Sequence, residues 1–288
     1  MLTLLAVETV LTPFQAMVLG AVQGLTELLP ISSSAHLYLV PTILGWPYAG
    51  VAYDVAMHAG TLLALVVAFL GDWVAMFRGI FGPHGRQREA SRRLFGMLVV
   101  ATIPGLAAGK ALGDLEERLR SVPLQASTLL VFGILLWWVD AAARRRENLT
   151  QLTNDGPEGP PAPGWGTAIL VGFSQALALI PGVSRSGVTM TAGRLGGLSR
   201  LGAARFSFML SMPITLAAVL YTGLLKSRDL LAAMPLNTLL IGVGSAALTS
   251  FLAIQLMLGL LRRTGFAVFA GYRVLLALGL LVWWFAGR

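Results

Sequence analysis

Long apolar runs separated by short polar segments dominate this chain. Six of them approach the ~20 apolar residues that a helix needs to cross a bilayer, at residues 55–77, 94–112, 124–139, 206–225, 236–261 and 266–285. Two further apolar segments, 14–45 and 165–198, are interrupted by proline, glycine and polar residues. Each break leaves two short helical pieces, which is typical of a re-entrant hairpin. The pattern predicts an all-α polytopic membrane protein with about six transmembrane helices and two re-entrant helical hairpins.

Both halves of the chain have the same order, a hairpin followed by three spans. They cover about residues 1–141 and 165–288, and a polar loop at 142–164, rich in proline and glycine, joins them within a single membrane domain. Three crossings per half make the halves enter the membrane from opposite faces. We therefore predict an inverted repeat, with its special sites near the bilayer midplane where broken helices meet.

Composition and charge agree with this interpretation. The chain is 56% hydrophobic and 12% charged, whereas soluble domains carry roughly a quarter charged residues. The net charge of +8 comes from arginines in short loops, a pattern that sets membrane orientation and does not indicate nucleic-acid binding. It predicts that residues 78–93, 142–164 and 262–263 are cytoplasmic and that residues 114–120 and Arg288 are outside. The first 19 residues include Glu8 and lack a basic start, so no signal peptide is predicted.

The first broken segment carries an unusual set of polar side chains. Gln23 and Glu27 are four residues apart, so both lie on the same face of a helix. Pro30 ends that helix, and the serines at 32–34 and His36 follow it. A carboxylate at membrane depth is costly unless it is paired or faces water. Glu27 and His36 are therefore candidate functional residues, with His36 as an acid, base or nucleophile.

The second broken segment repeats this plan with a cation in place of the acid. Arg185 comes shortly after a Pro-Gly break and between two serines, where a guanidinium and free backbone N–H groups suit a phosphate group. Overlaying the segments pairs Gly20 with Gly172, Gln23 with Gln175 and, after a one-residue slip, Pro30 with Pro181 and Ser33 with Ser184. Elsewhere, His58 is predicted to pack among small apolar residues, and Arg194 and Arg273 are predicted to be mainly interface anchors near segment ends.

The chain resembles the undecaprenyl-diphosphate phosphatase family, bacterial membrane enzymes associated with bacitracin resistance. The resemblance is carried by QGLTELLPISSSAH at 23–36, PGVSRSGVT at 181–189 and FAVFAGYR at 266–273. It implies hydrolysis of undecaprenyl diphosphate to the monophosphate, which recycles the lipid carrier for peptidoglycan synthesis. It also implies a divalent cation, Mg²⁺ or Ca²⁺, and a site in the bacterial inner membrane that opens towards the periplasm.

The resemblance also assigns roles to residues. It implies catalytic roles for Glu27, Ser33, His36 and Arg185, cation binding by Glu27, and substrate binding by Gln23, Ser184, Ser186 and Thr189. Two positions depart from the family pattern: Gln23 stands where glutamate is frequent, and Ala35 where glycine is common beside the histidine. Whether Ser33, His36 or water is the nucleophile stays open at this point.

Two rival functions deserve comparison. Type-2 phosphatidic acid phosphatases need a histidine downstream of their Ser-Arg element. This chain has no histidine after His84, so that mechanism is excluded. A lipid-phosphate flippase, alone or combined with hydrolysis, fits the inverted repeat, but has less need of an acid, a serine and a histidine in one motif. The sequence does not decide the oligomeric state, and a homodimer is one alternative.

Overall fold

A computed structural model describes residues 11–48, 50–112, 118–153 and 163–287. Several features predicted from the sequence lie outside these residues: Glu8, the acidic residues Asp114, Glu116 and Glu117 of the predicted outer loop, residues 154–162 of the linker, and Arg288.

The described residues form ten α-helices: α1 Pro13–Leu28, α2 Ser33–Leu44, α3 Val51–Phe81, α4 Arg86–Leu112, α5 Val122–Thr153, α6 Trp165–Ser174, α7 Arg185–Leu195, α8 Arg200–Ala233, α9 Leu236–Arg263 and α10 Ala267–Ala286. A short 3₁₀ helix, Gln175–Leu179, continues α6. Helices α3, α4, α5, α8, α9 and α10 are long and apolar enough to cross a membrane. The chain is therefore a multi-pass membrane protein, as the sequence predicts.

The outward faces of the spans are apolar. Leu224 is 81% exposed and Leu275 is 72% exposed, and many other large apolar side chains of the spans are exposed as well. Lipid tails are as apolar as leucine, so such side chains are stable when they face the bilayer.

Helices α1, α2, α6 and α7 are too short to cross the bilayer. α1 has 16 residues, or about 24 Å of helix, and α2 has 12 residues, or about 18 Å, while the hydrocarbon core is about 30 Å thick. α1 packs against α2, and α6 packs against α7. Both predicted re-entrant hairpins are thus present.

Most of the packing between the halves follows a two-fold pattern, although the contact of α5 with α7 has no equivalent of similar size between α10 and α2. α1 packs on α9, and its counterpart α6 packs on α4, the counterpart of α9. α3 packs on its own counterpart α8, and α5 packs on its counterpart α10. Exchanging the two halves leaves this set of contacts unchanged, which is the arrangement that the predicted inverted repeat requires. It brings the turns of the two hairpins together inside the protein.

The hairpins approach the long helices closely through glycine. A Cβ atom on Gly20 would lie 2.1 Å from the carbonyl oxygen of Gly242 in α9, and one on Gly172, the counterpart of Gly20, would lie 2.8 Å from the backbone of Ala101 in α4. Equivalent glycines therefore allow equivalent backbone contacts in both halves.

A Gly20→Val substitution should destabilise the protein by about 1–3 kcal/mol, because the added side chain must push α1 away from α9. The loss of stability can be measured as a lower melting temperature of the purified protein in detergent. Gly244→Val is the matched control, since the Cβ position of Gly244, on the same helix α9, has no atom within 4 Å. Equal melting temperatures for both variants would contradict the close-packing explanation.

One predicted boundary is wrong. The third span of the first half was expected to end near residue 139, with a loop from 142, but α5 continues to Thr153. Residues 141–147 are three alanines, three arginines and a glutamate, all strong helix formers. Charge ends the membrane span here without ending the helix.

Candidate active site

Each hairpin turns at a serine in a strained backbone conformation. α1 ends at Leu28 and α2 begins at Ser33, and the residue before α2, Ser32, has φ of 76°. In the second hairpin Ser184 has φ of 73° and is followed by Arg185, the first residue of α7. Among the described residues these two serines are the only ones other than glycine with positive φ. Such conformations cost free energy and cluster at functional sites.

The two serines correct the predicted alignment of the repeats. Ser32 and Ser184 share their backbone conformation, and each forms a hydroxyl pair two residues along, with Ser34 at 3.3 Å and with Ser186 at 3.2 Å. The offset between them is the same as that between Gln23 and Gln175. The one-residue slip that paired Ser33 with Ser184 is therefore wrong, and Ser33 is the counterpart of Arg185.

Glu27 is the centre of a cluster of polar side chains from both halves. Its Oε2 accepts hydrogen bonds from Ser33 Oγ at 2.5 Å and from Gln23 Nε2 at 3.2 Å, and lies 3.3 Å from His58 Nε2. Its Oε1 accepts from Arg185 Nη2. The acid of the first hairpin and the cation of the second, 158 residues apart in sequence, thus form a direct ion pair.

Arg185 is held from two sides. Besides Glu27, its guanidinium donates through Nη1 to Thr215 Oγ1 at 3.0 Å, which lies in α8. Its side chain is partly exposed, whereas that of Glu27 is buried. Arg185 is therefore the more accessible partner of the ion pair.

His58 was predicted to pack among apolar residues, and this prediction is wrong. Its Nδ1 donates to the carbonyl oxygen of Asp54 at 2.7 Å, one helical turn earlier in α3. This leaves Nε2 facing Glu27. A histidine within an apolar span was the available signal, but the contact with Glu27 depends on how α3 packs against α1.

His36 has different hydrogen-bond partners from Ser33. Its Nδ1 donates to the carbonyl oxygen of Ser32 at 2.7 Å, so in the neutral imidazole Nε2 accepts from Tyr272 Oη, also at 2.7 Å. The rings of His36 and Tyr272 stack with centroids 5.7 Å apart. Both ring nitrogens are engaged in these bonds, and the structure does not bring them to Ser33 or Glu27.

The predicted substrate-binding hydroxyls of the second hairpin bond within the protein. Ser184 Oγ accepts from the Gly187 N–H at 3.1 Å, Ser186 Oγ donates to the Leu29 carbonyl at 3.0 Å, and Thr189 Oγ1 is 2.6 Å from Ser207 Oγ. Their substrate-binding roles stay predictions. In this structure they join the turn to its neighbours and support Arg185.

Comparison with known proteins identifies the family. The model of the family described as bacitracin resistance protein BacA matches residues 16–279. The chain belongs to the BacA family. Relatives named undecaprenyl-diphosphatase include one from Gemmatimonas aurantiaca, 48% identical over 272 residues, which are 93% of this chain and 96% of the relative. One from Alcanivorax borkumensis is 46% identical over 277 residues (94% and 98%), and one from Pelotomaculum thermopropionicum is 42% identical over 273 residues (94% and 97%).

A divalent cation has limited protein ligands in this BacA family member. Among the described residues no three His, Asp or Glu side chains form a group that could hold a metal. Glu27 is the one carboxylate of the cluster, and the buried Oε1 of Gln23 has no hydrogen-bond partner. A carboxylate and an amide oxygen fit a hard cation that takes its remaining ligands from substrate phosphates.

Arg194 and Arg273 are not interface anchors, since both are 0% exposed. Arg194 donates through Nε to Asp140 at 3.0 Å and through Nη1 to Glu147 at 2.5 Å, and Asp140 also pairs with Arg200 at 2.7 Å. This network ties the end of the second hairpin to α5 and α8. Segment position suggested the interface, whereas tertiary packing buries both arginines.

Proposed function

We propose that this protein hydrolyses undecaprenyl diphosphate to undecaprenyl phosphate and inorganic phosphate. The observation that carries the proposal is the single cluster of Glu27, Ser33 and Arg185, assembled from two hairpins inside a membrane protein. The names of the relatives support it, because this chain covers at least 96% of each of the three. The product is the lipid carrier that peptidoglycan synthesis reuses, and faster recycling accounts for resistance to bacitracin.

Arg185 binds the terminal phosphate in this proposal. A planar guanidinium presents paired N–H donors that match phosphate oxygens, and the Arg185 side chain is more exposed than that of Glu27. A phosphate bound there competes with Glu27 Oε1 for the guanidinium. The carboxylate released in this way is a stronger proton acceptor for Ser33, so binding activates the nucleophile.

Ser33 is the nucleophile, and Glu27 is its base. The hydroxyl already donates to Glu27 Oε2 at 2.5 Å, within the range that a general base requires. Ser33 Oγ attacks the terminal phosphorus, its proton passes to Glu27, and the bond from phosphorus to the bridging oxygen breaks to release undecaprenyl phosphate. Water then attacks the phosphoserine, the Oγ–P bond breaks, and Ser33 regains a proton as inorganic phosphate leaves. His36 as base or nucleophile stays a prediction, and His58 holds Glu27 in place through Oε2.

A divalent cation, Mg²⁺ or Ca²⁺, fits beside this cluster. Glu27 and the amide oxygen of Gln23 are the residues that would hold it. When bound, the cation supplies neutralising charge on the diphosphate oxygens.

The direct test is phosphate release from undecaprenyl diphosphate by the purified protein in detergent. We expect release that falls at least tenfold when a chelator removes divalent cations and returns when Mg²⁺ or Ca²⁺ is added back. No release under any of these conditions would refute the hydrolase proposal. Undiminished release with chelator present would refute the cation alone.

We further propose that the protein lies in the bacterial inner membrane with the site open to the periplasm. The arginine-rich ends of α3, α4 and α9 support this orientation, because such segments stay in the cytoplasm. The chain has no cysteine, so single cysteines report sidedness cleanly. Gly287→Cys should react with a membrane-impermeant thiol reagent in intact cells, and His84→Cys only after the membrane is opened. The reverse labelling would overturn the orientation.

A further inference from the structure

Arg273 is a buried cation with no acidic partner among the residues that the structure describes. It lies in α10 and is 0% exposed. None of the carboxylates in the described residues forms a salt bridge with it, whereas Arg194, equally buried, has two. A buried charge is unstable unless its hydrogen-bonding groups are satisfied. The hydrogen-bond partners of Arg273 therefore indicate its role in the protein.

Those partners are backbone carbonyls, and they belong to both hairpin turns. Nη1 donates to Pro30 O at 3.2 Å in the first turn, and Nη2 donates to Gly182 O and Val183 O, each at 3.0 Å, in the second. Nε donates to Leu129 O at 3.3 Å in α5. One guanidinium thus joins the two turns to each other and to the neighbouring span.

The chemistry of the turns explains the need for this residue. Breaking a helix inside a membrane frees carbonyl groups that have no water to accept from. A guanidinium offers five N–H donors in a rigid fork, so it can satisfy several carbonyls from two chain segments at once. The ammonium of a lysine is a single point on a flexible stem and cannot bridge the same set.

The position of the two turns decides the geometry of the site. Ser33 and Glu27 flank the first turn, and Arg185 follows the second. We propose that Arg273 is a positioning residue that fixes the spacing of the two hairpin tips and so aligns Ser33 with the phosphate bound by Arg185. This inference rests on the proposed hydrolase function. Misplacement by about 1 Å costs a catalysed reaction on the order of 10²-fold.

The first test compares two lysine substitutions at equally buried arginines. Arg273→Lys should lower kcat for phosphate release about 100-fold and change KM less than about threefold, because Arg185 still binds the phosphate while the nucleophile is misaligned. Arg194→Lys, at the far end of α7, should lower the melting temperature but keep kcat within about threefold of the parent. A parental kcat for Arg273→Lys, or an equal loss of kcat in both variants, overturns the proposal.

The second test measures the spacing directly and does not depend on activity. Ile43 in α2 and Phe173 in α6 are both more than half exposed, and the chain lacks native cysteine. Spin labels on Ile43→Cys and Phe173→Cys should give a narrow distance distribution in the parent and in Arg194→Lys, and a broad or shifted one in Arg273→Lys. If kcat falls while the distribution stays unchanged, Arg273 acts on the substrate by charge, and positioning is refuted.

A third variant covers the case in which Arg273→Lys does not fold. A Cβ atom on Gly187 would lie 2.9 Å from Arg273 Nη1. Gly187→Ala should therefore displace the Arg273 guanidinium without removing its charge. We expect a roughly tenfold loss of kcat and a broadened distance distribution, and an unchanged distribution would count against the proposal. If the parent itself releases no phosphate, the hydrolase proposal fails, while the distance measurements still decide whether Arg273 sets the spacing.

Discussion

Arg185→Lys should lower kcat/KM for phosphate release by about 10²- to 10³-fold, the range found when one preorganised donor to a developing charge is lost. Lysine keeps the positive charge but lacks the planar set of N–H donors of a guanidinium. In the structure the two terminal nitrogens of Arg185 reach different partners, Glu27 and Thr215, and a single ammonium cannot hold both and a phosphate. The loss should appear in the hydrolysis assay with protein that still elutes as a folded species.

The matched control for this substitution is Arg205→Lys. The Arg205 side chain is 59% exposed and pairs with Asp72 at 3.6 Å on the surface, where such pairs contribute little. Its activity should stay within about twofold of the parent. If Arg185→Lys also stays within tenfold, the guanidinium is not the phosphate ligand.

Much of the fold could be predicted from the sequence because a membrane restricts the choices. Irregular backbone is tolerated in a bilayer only where protein or water covers it, so the breaks around Pro30 and Pro181 indicated hairpins and not spans. The end of α5 was not predicted correctly, because the membrane does not restrict the structure of the polar residues that follow the span. The charged residues from Arg144 to Glu147 end the apolar run, and helix propensity carries α5 on to Thr153.

The alignment of the repeats failed at the prolines. Proline is a visible helix breaker, so pairing Pro30 with Pro181 was the natural choice. The structure pairs Ser32 with Ser184 instead, because the shared feature is a positive φ angle at the residue before α2 and α7. Backbone conformation is what the two turns have in common, and the proline takes a different position in each.

Part of the site depends on contacts between distant segments. The sequence placed Glu27, Ser33 and Arg185 in two motifs, and the structure joins them through direct hydrogen bonds. His58 and Thr215 reach the same cluster from α3 and α8, and no local pattern gives the packing of those helices. Tyr272 and Arg273 were within the quoted 266–273 motif, but their contacts with His36 and the turns needed the fold.

The corrected alignment gives the two hairpins complementary roles. Ser33 and Arg185 are the first helical residues after equivalent strained serines, and both donate to the same carboxylate of Glu27. One copy of the repeat presents a hydroxyl at this position and the other a guanidinium. Equivalent positions of the two hairpins thus place a hydroxyl and a guanidinium on one carboxylate, the arrangement that the proposed mechanism uses.

Ser33→Ala should reduce phosphate release about 10⁴-fold, because the proposed nucleophile has no substitute in the cluster. Ser34→Ala is the matched control, one residue along the same helix. Ser34 pairs with Ser32 at 3.3 Å and not with Glu27, so its loss should cost less than about fivefold. Rapid acid quenching of the parent with substrate labelled in its terminal phosphate should also trap label on the peptide that contains Ser33.

The Ser33→Ala variant separates the three nucleophiles that the sequence left open: Ser33, His36 and water. If water attacks directly, Glu27 remains available as its base, and the variant should keep more than about a tenth of the parental rate with no trapped label. If Ser33 attacks, both the rate and the label disappear together. A Ser33→Ala variant that still yields labelled protein would show that another side chain accepts the phosphoryl group, and His36, held between Ser32 and Tyr272, is then the next residue to replace.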